Sequence, residues 1–119
     1  MSKQKFYKAQ CNGNDFILLL KDELEITLDE DSIQKLCDRR RGIGSDGLLL
    51  IDTSSDLNDF TMDYYNSDGS WETMCANGAL CCVLLLHSKG YTFKTHRFTS
   101  GDGEHHIKFT GNQYSIKMK

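Results

Sequence analysis

Ala76-Asn77-Gly78-Ala79-Leu80-Cys81-Cys82-Val83-Leu84-Leu85-Leu86-His87-Ser88-Lys89 is the stretch on which the fold turns. Small residues open it, Gly90 closes it, and the whole chain lacks proline, so nothing interrupts a helix. From Ala79 to Leu86 the segment is apolar on nearly every side. A helix lying on a surface needs only one apolar stripe, whereas one that is apolar all round has to be enclosed. Val83, Leu84 and Leu85 are therefore expected in the core. At roughly 1.5–3 kcal/mol per fully buried leucine, this helix should dominate stability.

What encloses it must be mostly strand. Lys5 to Gln10 and Phe16 to Leu20 read as strands on either side of the polar turn Cys11-Asn12-Gly13-Asn14-Asp15. Gly47 to Ile51 is a short apolar run of strand length. Phe60, Met62 and Tyr64 alternate with Thr61, Asp63 and Tyr65, the pattern of a half-buried strand. Further strands are expected over Tyr91 to Phe98, His105 to Thr110 and Gln113 to Met118, with turns at Ser100-Gly101-Asp102-Gly103 and Gly111-Asn112 and the last two strands forming a hairpin. One more helix is read over residues 28–40 and stopped near Gly42. Thr27 and Glu30 have capping-box spacing, and Ile33, Leu36 and Cys37 form an apolar stripe. The architecture implied is α+β: a strongly curved, largely antiparallel sheet wrapped around a central helix. Most of Phe6, Phe16, Leu49 and Phe60 are expected to join its core.

Cys75 stands immediately before that helix. Free backbone N–H groups and the helix dipole at such a position favour a thiolate, so Cys75 is a candidate reactive residue. The commoner fate of a free cysteine is inert burial, and Cys81 and Cys82, inside the helix body, are read that way. Four polar, glycine-rich segments lie between apolar runs: Asn12 to Asp15, Gly42 to Gly47, Asn66 to Ser70 and Cys75 to Gly78. Each alone is a turn. Together, beside a thiol, they offer backbone amides and asparagine side chains to a zwitterionic ligand.

Other chemistries are poorly served. The Gly42 to Gly47 segment precedes a strand and lacks the lysine of a phosphate-binding loop. His105 and His106 are adjacent and so point to opposite faces of a strand, while His87 and His96 have no partner at ligand spacing; no metal site is read. The net charge of −3 argues against nucleic acid and against anionic membrane surfaces. No apolar stretch approaches spanning length, and the opening Met-Ser-Lys-Gln-Lys-Phe-Tyr lacks the apolar core of a signal peptide. Five cysteines without a Cys-x-x-Cys pair suit a reducing cytoplasm. At 119 residues the chain is read as one domain.

Four ordered motifs carry a resemblance: Gly13-Asn14-Asp15-Phe16; Asp38-Arg39-Arg40 with Gly42-Ile43-Gly44-Ser45-Asp46-Gly47; Tyr65-Asn66-Ser67-Asp68-Gly69-Ser70; and Met74-Cys75-Ala76-Asn77-Gly78. From about Lys5 onward the chain resembles the N-terminal domain of the diaminopimelate epimerase family, enzymes of lysine and cell-wall precursor biosynthesis that use no cofactor. The resemblance implies one half of a two-domain fold, with a C-terminal domain absent from this chain. It implies that Cys75 exchanges the Cα proton on one face of an amino-acid substrate. Asn14 and Asn66 would hold that substrate, and the amides after the cysteine, at Asn77 and Gly78, would receive a carboxylate. The second catalytic cysteine, with a Glu-Arg pair, belongs to the other domain, so this chain alone is expected to be inactive. Its exposed inner wall is expected to favour a homodimer, in contact through the Cys75 face or a sheet edge. Three positions depart from the family pattern: Ala76 and Cys11 replace glycines, and Leu80 replaces an arginine. They keep open a non-catalytic isolated domain or assembly module. A related amino-acid racemase also stays open, because the residues that choose the distal end of the substrate lie partly in the other domain.

Overall fold

The computed structural model describes residues 4–110 and 113–117. The elements are β1 (Tyr7–Cys11), β2 (Asn14–Leu20), α1 (Glu30–Cys37), β3 (Gly47–Asp52), β4 (Phe60–Asn66), β5 (Trp71–Glu72), α2 (Ala76–Ser88), β6 (Arg97–Ser100), β7 (Gly103–Thr110) and β8 (Gln113–Lys117), with a short 3₁₀ turn at Lys21–Glu23. All the strands belong to one sheet ordered β1-β2-β3-β4-β6-β7-β8, with β5 beside β4. Pairing is antiparallel except for β2 with β3 and β4 with β6. This is the curved, largely antiparallel sheet around a central helix that the sequence implies.

Curvature lets both ends of the sheet reach α2. Tyr7 on β1 takes a hydrogen bond from Lys89 at 2.9 Å, and Tyr114 on β8 bonds His87 Nδ1 at 2.9 Å. Alternation on β2 sends Phe16, Leu18 and Leu20 inward to meet Ala79, Cys82, Val83 and Leu86 of α2. Ile17 and Leu19 point outward and pack with Leu48 against Ile33 and Cys37 of α1. A strand covered on both faces reads as an unbroken apolar run, as Phe16 to Leu20 does.

Several expectations need correction. Leu84 is 45% exposed and Leu85 only half-buried, while Val83 is fully buried. Ala79, Val83 and Leu86 line the helix face turned to the sheet, and at 100° per residue Leu84 falls on the side opposite. Phe6 is 46% exposed, because it precedes β1, an edge strand. The cap of α1 is Asp29, whose carboxylate accepts the Ser32 amide while Ser32 Oγ accepts the Asp29 amide. Thr27 contributes only its carbonyl, to Ser32 Oγ. The helix ends at Cys37, not near residue 40, since Asp38 is extended and its side chain takes the Arg40 and Arg41 amides.

Tyr91 to His96 is not strand. The amides of Lys94, Thr95 and His96 all point at the Asp59 carboxylate, which replaces a neighbouring strand as their acceptor. His105 is buried and His106 exposed, as adjacent strand residues should be. His105 is structural, bonded to Asp102 at 2.7 Å and stacked on Phe98. The Gly111-Asn112 turn and Met118 lie outside the described residues. No helix among the described residues is long and apolar enough to cross a membrane, and no metal-holding cluster is found among them.

Candidate functional site

The β1–β2 hairpin turns on Asn12 and Gly13, with φ of 51° and 87°. Two successive left-handed residues make the tight primed turn that suits strand twist, and Asn-Gly is its preferred pair. That turn is tied to the start of α2. Asn12 Nδ2 donates to Asn77 Oδ1 at 3.0 Å, and Asn77 Nδ2 donates to Asn14 Oδ1 at 3.3 Å. The Asn77 side chain therefore bridges the hairpin, while its backbone belongs to the opening turn of the helix.

Cys75 is the residue that starts α2. Its backbone is extended, its carbonyl accepts the Ala79 amide at 2.9 Å, and its side chain makes no capping bond. The thiol is half-buried at the rim of the core. Gly78 lies against Leu49; a Cβ there would sit 3.0–3.2 Å from the two Leu49 methyls and 3.5 Å from Cys75 Cβ. The absent side chain draws the first turn of the helix onto β3.

Tyr64 connects this corner to Asn66. Its ring meets Phe16 edge-on at 6.1 Å, and its hydroxyl donates to Asn66 Oδ1 at 3.2 Å. Gly47 makes room for the ring, since a Cβ at that position would lie 2.8 Å from Tyr64 Cε1. Burial pushes the Tyr64 phenol above its ordinary pKa, and the charges of Cys75, Glu72 and Asp46 add in the same direction. Asn66 also donates to Ser70 Oγ and to Glu72 Oε1, both at 3.1 Å.

The Gly42 to Gly47 segment supports the site from behind. Arg39 grips both oxygens of Asp15 at 3.1 and 2.8 Å and reaches Asp46 at 3.1 Å. Lys8 joins Asp15 at 3.1 Å and also donates to the Gly44 carbonyl. Asp15 and Asp46 exchange amide-to-carboxylate bonds of 3.1 and 2.9 Å. The Arg39 guanidinium holds the Asp15 carboxyl far below the usual range. Asn14, next to Asp15, is thereby fixed in place.

Of the residues singled out in the sequence, Asn14, Asn77 and Gly78 gather at the helix start with Cys75, and Asn66 reaches it through Tyr64. Cys11 bears on Cys81: burial first, and then the neighbouring Cys11 thiol, push the Cys81 thiol well up. Asn12, Tyr64 and Glu72 were not singled out. The shared face of Phe60, Met62 and Tyr64 was the signal available for the tyrosine.

A curved sheet closed around one helix is a known domain class. The chain superposes on a phenazine biosynthesis PhzC/PhzF protein from Clostridium difficile with a TM-score of 0.64 at 16% identity, over 92% of this chain and 41% of that one. A phenazine biosynthesis protein of the PhzF family from Bacillus anthracis gives 0.61 at 20% identity, over 93% and 38%. These likenesses define the fold alone. Sequence defines the family: its diaminopimelate epimerase profile matches residues 6–119, and the chain belongs to the diaminopimelate epimerase family. It is 43% identical to the diaminopimelate epimerase of Flavobacterium psychrophilum, over 97% of this chain and 45% of the relative. Against that of Chlorobaculum tepidum it is 40% identical, over 89% and 41%. The chain thus spans less than half the length of these curated relatives.

Proposed function

We propose that this chain supplies one half-site of a cofactor-independent epimerase that interconverts LL- and meso-diaminopimelate. An amino-acid Cα–H is a very weak acid, so the reaction needs a base on one face, an acid on the other and fixed donors for the charge that develops. Cys75 Sγ removes or returns the Cα proton on one face. Asn14 and Asn66 hold the substrate, and the Asn77 and Gly78 amides donate to its carboxylate. A thiol from a second, C-terminal domain completes the exchange, so the 119 residues alone do not turn over. The observation that carries this reading is the placement of Cys75 at the start of α2, two residues before the Asn77 that bridges Asn12 and Asn14.

Deuterium incorporation at Cα in D₂O, measured on the protein with its second domain and on Cys75→Ala, tests it. Exchange that survives the substitution rules out Cys75. A related racemase is separated by a substrate panel, because a diaminopimelate epimerase needs the distal amino-carboxylate centre. The third reading, a non-catalytic module, draws on the departures at Ala76, Leu80 and Cys11 and on the missing half-site. It predicts no exchange even when a second domain with a cysteine beside Glu and Arg is present.

A further inference from the structure

Asn66 is held on every side. Its carbonyl oxygen accepts from Tyr64, and its amide nitrogen donates to Ser70 Oγ and Glu72 Oε1. Chemistry fixes this orientation: an ionised carboxylate only accepts, so the nitrogen must be the atom facing Glu72. An asparagine amide has two N–H donors, and both are engaged. A ligand carboxylate approaching Asn66 therefore finds its donors occupied and a like charge, Glu72, in its path.

The surroundings share that sign. Glu72 lies directly across from Tyr64 in the β4–β5 register, so the two side chains share a face of the sheet. Cys75, Glu72 and Asp46 all bear on the Tyr64 phenol in the direction of negative charge. Lys8 and Arg39, the cations bonded into this region, are engaged by Asp15 and Asp46. Position 80, on the first turns of α2, is leucine and adds no charge. The corner formed by Asn66, Tyr64 and Cys75 is thus built to meet a cation.

We infer that Glu72 sets the ligand preference of this site by receiving the ammonium group of a zwitterionic amino acid beside Asn66. The ligand's carboxylate is left to the opening turn of α2, at Asn77 and Gly78, and its Cα falls between the two, facing Cys75. This assignment rests on the proposed role of Cys75, but its test needs no turnover.

Two methanethiosulfonate reagents of opposite charge, one bearing a trimethylammonium and one a sulfonate, probe the corner directly. In both, the Cys75 thiolate attacks the sulfenyl sulfur, a mixed disulfide forms and methanesulfinate leaves with the bonding pair. Labelling is followed at Cys75 by peptide mass on the full chain. The cationic reagent should enter faster, and the cation-to-anion rate ratio should fall at least about threefold in Glu72→Gln while Glu72→Asp keeps it, as expected for removing one unit charge from the corner. An unchanged ratio in Glu72→Gln, or a wild type that prefers the anion, overturns the assignment. If the glutamine variant does not fold, protection of wild-type Cys75 from a neutral reagent decides: an alkylammonium should protect, and its failure to protect overturns the assignment. Charge preference without Cα exchange would keep Glu72 in this role and remove the epimerase reading. Exchange without charge preference would do the reverse.

Discussion

The loops that meet the two ends of α2 are held by different chemistry. Beyond the C-terminal end, the Asp59 side chain, buried at 1% exposure, gathers the amides of Lys94, Thr95 and His96, and its carbonyl takes the Tyr91 hydroxyl at 2.8 Å. At the N-terminal end the work is done by neutral amides, Asn12, Asn14 and Asn77, all at least partly exposed. A buried carboxylate that satisfies several amides cannot release them cheaply, because the charge would be left without partners. Half-exposed amide pairs can be exchanged for a ligand or for water at small cost. One end is built to stay, the other to trade partners. A cleft of about 430 Å³ beside Asp59, lined in part by Asp56, Tyr91 and Lys94, lies at the end built to stay. The carboxylate on its wall is already engaged by backbone.

The sharpest test of this division is Cys75→Ala. On its proposed role, removing the thiol that exchanges the Cα proton should lower exchange by about 10²–10⁴-fold. The fold should be unaffected, since the Cys75 side chain makes no capping bond. Loss of activity with an unchanged urea midpoint is the expected result. A midpoint shift of similar size would mean that Cys75 is a packing residue.

Asp59→Asn should do the opposite. Hydrogen bonds to a charged acceptor contribute about 1.5–3 kcal/mol, so a loss of roughly 2 kcal/mol at pH 7 is expected, with Cys75 labelling rates unchanged. Burial pushes the Asp59 carboxyl up, but donation from the Lys94, Thr95 and His96 amides outweighs it and leaves the group below its ordinary value. A depressed folded-state value means that the contribution is present above the unfolded carboxyl range, near pH 4, and is lost as pH falls through the folded value. Wild type and variant should therefore differ at neutral pH and converge in acid. A constant difference down to about pH 2 would show that shape rather than charge fixes the loop.

Asn77→Ala probes the exchangeable end. Two neutral amide bonds disappear, one exposed of 3.0 Å and one part-buried of 3.3 Å. The expected loss is about 1 kcal/mol, with faster hydrogen exchange at Asn12 to Asn14 and little change elsewhere. Equal deprotection along the Tyr91 to His96 loop would contradict the separation of the two ends.

How much of this was legible in the sequence follows from the range of the interactions. Alternation in β2 and β4, the apolar run of α2 and Gly90 after it are local patterns, and they appear where they were read. The cap of α1 was displaced by two residues because Asp29 competes with Thr27 for the same role and its carboxylate accepts the Ser32 amide. Tyr91 to His96 has strand-like composition, but its amides answer to Asp59, more than thirty residues earlier. The site divides in the same way. Cys75, Asn14 and Asn66 stand out through motifs, whereas Asn12 reaches Asn77 across 65 residues and Glu72 faces Tyr64 only once β5 folds back on β4. Such partners have no local periodicity to announce them.

Leu84 offers the smallest effect and a different use of α2. Its neighbour Val83 is fully buried, so Val83→Ala should cost on the order of 1–2 kcal/mol in lost transfer energy. Leu84, at 45% exposure, is only partly inside, and Leu84→Glu should leave thermal stability of the monomer within about 0.5 kcal/mol. The residue lies on the side of the helix turned away from the sheet, with exposed His87 and Ser88 near it. If copies of the chain associate through this face, a buried glutamate at each contact would oppose it, and sedimentation of the variant should shift toward monomer at concentrations where the wild type self-associates. Association that survives Leu84→Glu but is lost on blocking Cys75 would place the contact at the other end of the comparison, on the wall formed by Asn14, Asn66 and Cys75. A strictly monomeric wild type would show that neither end of α2 serves as a contact between copies.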